Sequence, residues 1–226
     1  MSFILPISTA VLCLASFLLM IRDMGDHKEL FEEKCEKKEN SKLLSGSTIV
    51  YCSLMFIITV AASFLFCTIY KDNGILMSVK RLALLSMLWP IAYIDYKTYR
   101  IPNAFILFGV ICRVIILMLE LIFESQFVWM TLLSEVIAAV ALLLAAGLCA
   151  LCIKNSIGFG DMKLFIVMGL MLSLNGIWSA IFLSLIVSFF ISAFLLITKK
   201  KTRKDAIPFG PAIVIGTYLS VCLSGM

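Results

Sequence analysis

Apolar residues in this chain run in long blocks broken by short polar stretches, with neither the strict alternation of a half-buried strand nor the narrow stripe of a soluble helix. The blocks cover about 3–21, 48–70, 78–94, 103–123, 128–153, 162–174, 177–197 and 207–224. A bilayer core about 30 Å thick is crossed by a helix of about 20 residues, and all but the shortest block approach that length. The pattern predicts an all-α, polytopic membrane helix bundle of about eight transmembrane spans. Residues 1–226 form a single integral membrane domain, and 22–47 form a polar loop after the first span.

Composition agrees. Hydrophobic residues make up 62% of the chain and charged residues 15%, and the mean hydropathy is +1.07; these values exclude a soluble domain. The net charge of +5 reports orientation and implies no nucleic-acid partner, because the basic residues sit mainly in short loops. Loops after the first, third, fifth and seventh spans collect Arg22, Lys28, Lys34, Lys37, Lys38, Lys42, Lys97, Arg100, Lys154, Lys163 and the run from Lys199 to Lys204, against Lys71, Lys80 and Arg81 on the other side. The positive-inside rule makes the first set cytoplasmic in a plasma-membrane protein and puts both termini outside. No basic residue precedes the first block and Arg22 follows it, which is the wrong polarity for a cleavable signal. The mixed charges of residues 22–47 read as a solvated loop.

Seven of the eight cysteines lie in apolar blocks, where cysteine acts as a small hydrophobe. Cys149 and Cys152 have CxxC spacing but lack a second pair among Leu and Ala neighbours, so packing is the expected role. His27 and Cys35 share the polar loop without further ligands. Neither a metal nor a cofactor is expected.

The informative polar group is the carboxylate in Gly158-Phe159-Gly160-Asp161-Met162-Lys163. An acid at bilayer depth costs about 2.5–3.5 kcal/mol and is a functional candidate by default. A second acid, Asp95, ends the third block, and the topology returns the chain to the same membrane face before Asp161. Two carboxyls within reach of each other share a proton, leaving one acid and one base, which is the apparatus of an aspartic protease. Taken singly, Asp161 also reads as a helix cap and Asp95 as a juxtamembrane charge. An ion pathway or transporter uses intramembrane acids too, although these two gather at one face rather than at the midplane. Within the fourth and fifth spans, Arg113 and Glu135 fall at depths that allow a structural ion pair. Trp89-Pro90 precedes Asp95 and is placed to bend its helix.

Three stretches carry a family resemblance: Asp95 followed by Ile101-Pro102-Asn103, Gly158-Phe159-Gly160-Asp161-Met162-Lys163-Leu164, and Pro208-Phe209-Gly210-Pro211. In order and spacing the chain, from about residue 80 to its end, resembles the type IV prepilin peptidases, membrane aspartic proteases of the GxGD class. The resemblance implies that Asp95 and Asp161 are catalytic, and that Gly158, Gly160, Lys163, Pro208, Phe209 and Gly210 line the substrate site. It implies as substrate a prepilin or pseudopilin precursor, cut at the cytoplasmic face after a short basic leader. Larger members carry two CxxC pairs in the first loop, bind zinc and methylate the trimmed pilin. This chain has only Cys35 there, so a peptidase without zinc or methyltransferase activity is expected. An inactive relative serving as a pilus-assembly scaffold remains the other reading.

Overall fold

The computed structural model describes residues 4–26, 46–70, 74–123, 128–152, 158–199 and 207–224. Seven helices account for nearly all of them: α1 (Ile4–Asp26), α2 (Gly46–Thr68), α3 (Ile75–Thr98), α4 (Asn103–Phe123), α5 (Val128–Cys152), α6 (Phe159–Ile197) and α7 (Gly210–Ser224). Six are long and apolar enough to cross a membrane, and α7 is a shorter apolar helix. The protein is a multi-pass membrane helix bundle.

The organising element is α3, which packs against α1, α2, α4, α6 and α7. Every residue from 80 to 92 is buried, although this is the least apolar of the six long helices. That inversion follows from the solvent. In lipid the outer surface is satisfied by aliphatic side chains, so the helix carrying Ser78, Lys80, Arg81, Ser86 and Asp95 belongs inside. Pro90 lies within continuous helix, and the Tyr51 hydroxyl of α2 donates to the Trp89 carbonyl at 3.0 Å.

Sequence periodicity separates 162–174 from 177–197, whereas the helical run is unbroken from Phe159 to Ile197 except at Ser173, whose φ of 59° and ψ of −179° are non-helical. The contacts on either side show that the chain reverses there. Before the break, Met162 lies by Gly147 and Gly169 by Ala139, and just past it the Leu174 amide meets Ser134, so this arm runs antiparallel to α5. After it, Ser179 bonds Ser220 at 2.6 Å and Ser184 meets Ile213, so the second arm runs antiparallel to α7. The two arms correspond to the sixth and seventh apolar blocks. A Cβ on Gly169 would stand 2.7 Å from the Ala139 nitrogen, which explains the small residue at this helix crossing.

For a serine, the backbone at position 173 belongs to a region that glycine occupies far more readily, and such residues cost about 1–3 kcal/mol. Ser173→Gly is therefore expected to raise stability by about 1 kcal/mol, the relieved strain outweighing one long hydrogen bond. Thermal melting in detergent micelles checks this; a lower melting point than wild type contradicts it.

The Arg113–Glu135 pair expected from depth is present, but as half of a larger group. Glu135 Oε1 lies 2.5 Å from Lys80 Nζ, and Glu135 Oε2 lies 2.7 Å from Arg113 Nε. Arg113 Nη1 also reaches Glu120 at 3.0 Å, and Lys80 lies 3.6 Å from Glu120. All four side chains are buried and their formal charges cancel. Lys80 is thus an internal partner and not a loop charge, which removes it from the orientation count. Cys13 and Cys52 are buried, while Cys149 points outward from the bundle; Cys152's side chain, His27 and Cys35 lie outside the described residues. Among the described residues no group of three His, Cys, Asp or Glu side chains could hold a metal ion.

Candidate active site

Asp95 occupies the last turn of α3, which extends past the expected end of the third block to Thr98 and closes on Tyr99 in the left-handed conformation (φ 55°, ψ 38°). The Tyr99 amide donates to the Asp95 carbonyl at 2.8 Å, which ends the helix and turns the chain toward Ile101 and Pro102. The side chain of Asp95 is only 6% exposed, so it is packed inside the bundle and is not a solvated surface charge. Asp161 is half-buried in the first turn of α6, where its Oδ2 accepts the Gly158 amide at 3.3 Å. The cap expected of Asp161 is therefore real, and it coexists with any further role.

The two acids are held in the same way. The Gly210 amide, at the start of α7, donates to Asp95 Oδ2 at 2.7 Å, so each carboxyl takes a glycine N–H from the N-terminus of a helix, where exposed amides favour an anion. The charge on Asp95 bears directly on Asp161, which places the carboxyls within electrostatic reach of each other. The three sequence motifs thus converge on one end of the bundle: the end of α3, the start of α6 and the start of α7.

Around the acids, Gly160 packs closely on Ile101, where an added Cβ would sit 3.1 Å from the Ile101 Cβ. Lys163 Nζ donates to Asn103 Oδ1 at 3.0 Å, tying α6 to the start of α4. Phe209 stands edge-on to Phe165 with ring centroids 6.2 Å apart, and Pro208 is half-buried beside it. Of the expected site residues, Gly158 and Gly210 touch the acids directly; Gly160, Lys163 and Phe209 hold the surrounding segments together. The direct Gly210–Asp95 contact was not foreseen from the sequence. Its signal was a glycine between two prolines at a helix start, a position where a free amide is exposed and bulk is unwelcome.

A family model described as the type IV leader peptidase family matches residues 82–197, slightly more than half of the chain. The chain belongs to the type IV leader peptidase family. Neither a curated protein nor a solved structure matches it. The matched segment contains both Asp95 and Asp161 and ends before Pro208, so the contact of Gly210 with Asp95 joins α7 to the leader peptidase region.

The crowding at Gly210 makes a prediction. An alanine there would bring its Cβ to 2.7 Å from Asp95 Oδ2 and 2.9 Å from Asp95 Cβ. Gly210→Ala is expected to displace the carboxyl or α7, at an overpacking cost of about 1–3 kcal/mol, and to lower peptidase activity while the protein still inserts. Activity per folded molecule, normalised by size-exclusion recovery, is the check; full activity in this variant would mean that Asp95 need not keep its place.

Proposed function

We propose that this protein is an aspartic endopeptidase that removes the basic leader from prepilin- or pseudopilin-type precursors at the cytoplasmic face of the membrane. The observation that supports the reading is that two carboxyls from distant parts of the chain, each held by a helix-start glycine amide, lie within electrostatic reach of each other at one end of the bundle. The family membership supplies the peptidase class.

In this mechanism Asp95 and Asp161 share one proton. The ionised carboxyl takes a proton from a water molecule as the water attacks the scissile carbonyl carbon. The protonated carboxyl donates toward the carbonyl oxygen, and collapse of the tetrahedral intermediate returns a proton to the leaving amine. Atoms balance as one water consumed and one peptide bond broken. The glycine amides keep the carboxyls oriented, which lowers the cost of reaching the reactive geometry. A basic leader joined to an apolar helix suits a site at the end of a membrane bundle, because the helix can remain in lipid while the leader reaches the acids. The asymmetry of loop charge supports a cytoplasmic site.

The buried charges argue against an ion pathway through the bundle. Lys80, Arg113, Glu120 and Glu135 are committed to one another at 2.5–3.6 Å and balance in charge. The test is reconstitution of the full chain in lipid vesicles with a synthetic precursor bearing a short basic leader and an apolar helix. Mass spectrometry is expected to find one cut between leader and helix. Intact precursor with every leader tried, or cuts scattered through exposed loops, would refute leader removal.

A further inference from the structure

Two rigid arms carry the acids, and both are tied at their far ends to one residue. Lys80 lies about 22 Å before Asp95 along α3, and Ser173 lies about 18 Å after Asp161 along the first arm of α6, at about 1.5 Å per residue. Between them stands Glu135 of α5. Its Oε1 receives Lys80 Nζ at 2.5 Å and the Ser173 hydroxyl at 3.4 Å. Next to it, Ser134 Oγ accepts the Leu174 amide at 3.1 Å, so the residue at the helix break and the one after it are both fastened to α5. Arg113, from α4, holds the other oxygen of Glu135 at 2.7 Å. The anchor thus joins α3, α4, α5 and the break in α6, at the opposite end of the bundle from the acids.

We infer that Glu135, acting through Ser173, is a positioning residue that sets the register of the Asp161 arm against α3 and hence the approach of the two aspartates. This rests on the peptidase reading only for its effect on catalysis. The strained backbone of Ser173 is the point about which the arm would tilt. Over an 18 Å lever a tilt of about 3° moves Asp161 by about 1 Å, a displacement that can cost on the order of 10²-fold in rate. The four-charge group has no contact with the acids among the described residues, so any influence it has on them travels through the arms.

The experiment uses the full chain with its other cysteines replaced and with Asn103→Cys and Lys163→Cys introduced, since these side chains meet at 3.0 Å where α6 begins. Cross-linking by a short bifunctional methanethiosulfonate reports the register of the Asp161 arm without reference to activity. Ser173→Ala, which leaves the four charges intact, is expected to lower the cross-link yield per folded molecule. In the chain with native Asn103 and Lys163, it is expected to lower kcat roughly 10-fold with KM unchanged. Glu135→Gln should do the same where it folds. Tyr218→Phe, which loses bonds to Thr59 and the Leu85 carbonyl, serves as a packing control and should leave the yield unchanged. An unchanged yield with Ser173→Ala, or an equal fall with Tyr218→Phe, overturns the inference. If wild type cuts no precursor, the peptidase reading fails, and the cross-link yield still decides whether the anchor sets the register.

Discussion

Asp95→Asn and Asp161→Asn are each expected to reduce leader removal by a factor on the order of 10²–10⁴, the range that positioned acid–base groups contribute. The substitutions are isosteric, and both side chains retain an acceptor oxygen for the Gly210 and Gly158 amides. Folding should therefore survive, and KM should change little, because a substrate helix held in lipid does not depend on either carboxyl for binding. Neither amide side chain can serve as a general acid or base at neutral pH, so the loss should appear in kcat. The measurement is single-turnover cleavage in vesicles, with insertion verified for each variant. A variant that keeps wild-type kcat would show that its acid serves only as a helix cap or a structural charge.

The second large effect concerns stability. Lys80→Met alone leaves Arg113 facing two glutamates, and Glu135→Leu alone leaves Lys80 and Arg113 sharing Glu120. Removing one partner from a buried pair costs about 3–5 kcal/mol. The double variant Lys80→Met, Glu135→Leu removes one charge of each sign and leaves the Arg113–Glu120 pair at 3.0 Å. It is expected to be less destabilised than either single variant, the two losses falling short of additivity by more than about 1 kcal/mol. Denaturant or thermal unfolding in micelles of all four proteins closes the cycle. Additive losses would mean that the four charges do not act as one neutral group.

Much of the architecture was legible because lipid imposes a coarse rule on sequence. Apolar blocks had to become helices, and their ends differ from the observed ones by only a few residues, as at 48–70 against Gly46–Thr68. The two blocks on either side of Ser173 could be separated because they are long enough for two arms, although the turn between them is a single residue. That Asp95 and Asp161 share one end of the bundle was legible from topology, since an even number of crossings returns the chain to one face. What stayed hidden is three-dimensional pairing. Lys80 sat at the start of its block and read as a loop charge, whereas it is buried against Glu135. Glu120 went unremarked, yet its spacing of seven from Arg113 puts both on one face, two turns apart. The bond from Gly210 to Asp95 spans 115 residues of sequence, and no local pattern specifies such a partner.

Whether the two aspartates form one catalytic unit is decided most directly by kcat for Asp95→Asn, Asp161→Asn and the double variant side by side on one precursor. If the acids share the proton that drives the reaction, each single variant reaches the floor and the double loses little more, as expected of groups that act together. If the losses multiply, or if either single variant still trims the precursor at the wild-type rate, the acids do not work as a pair and the proposed chemistry is wrong.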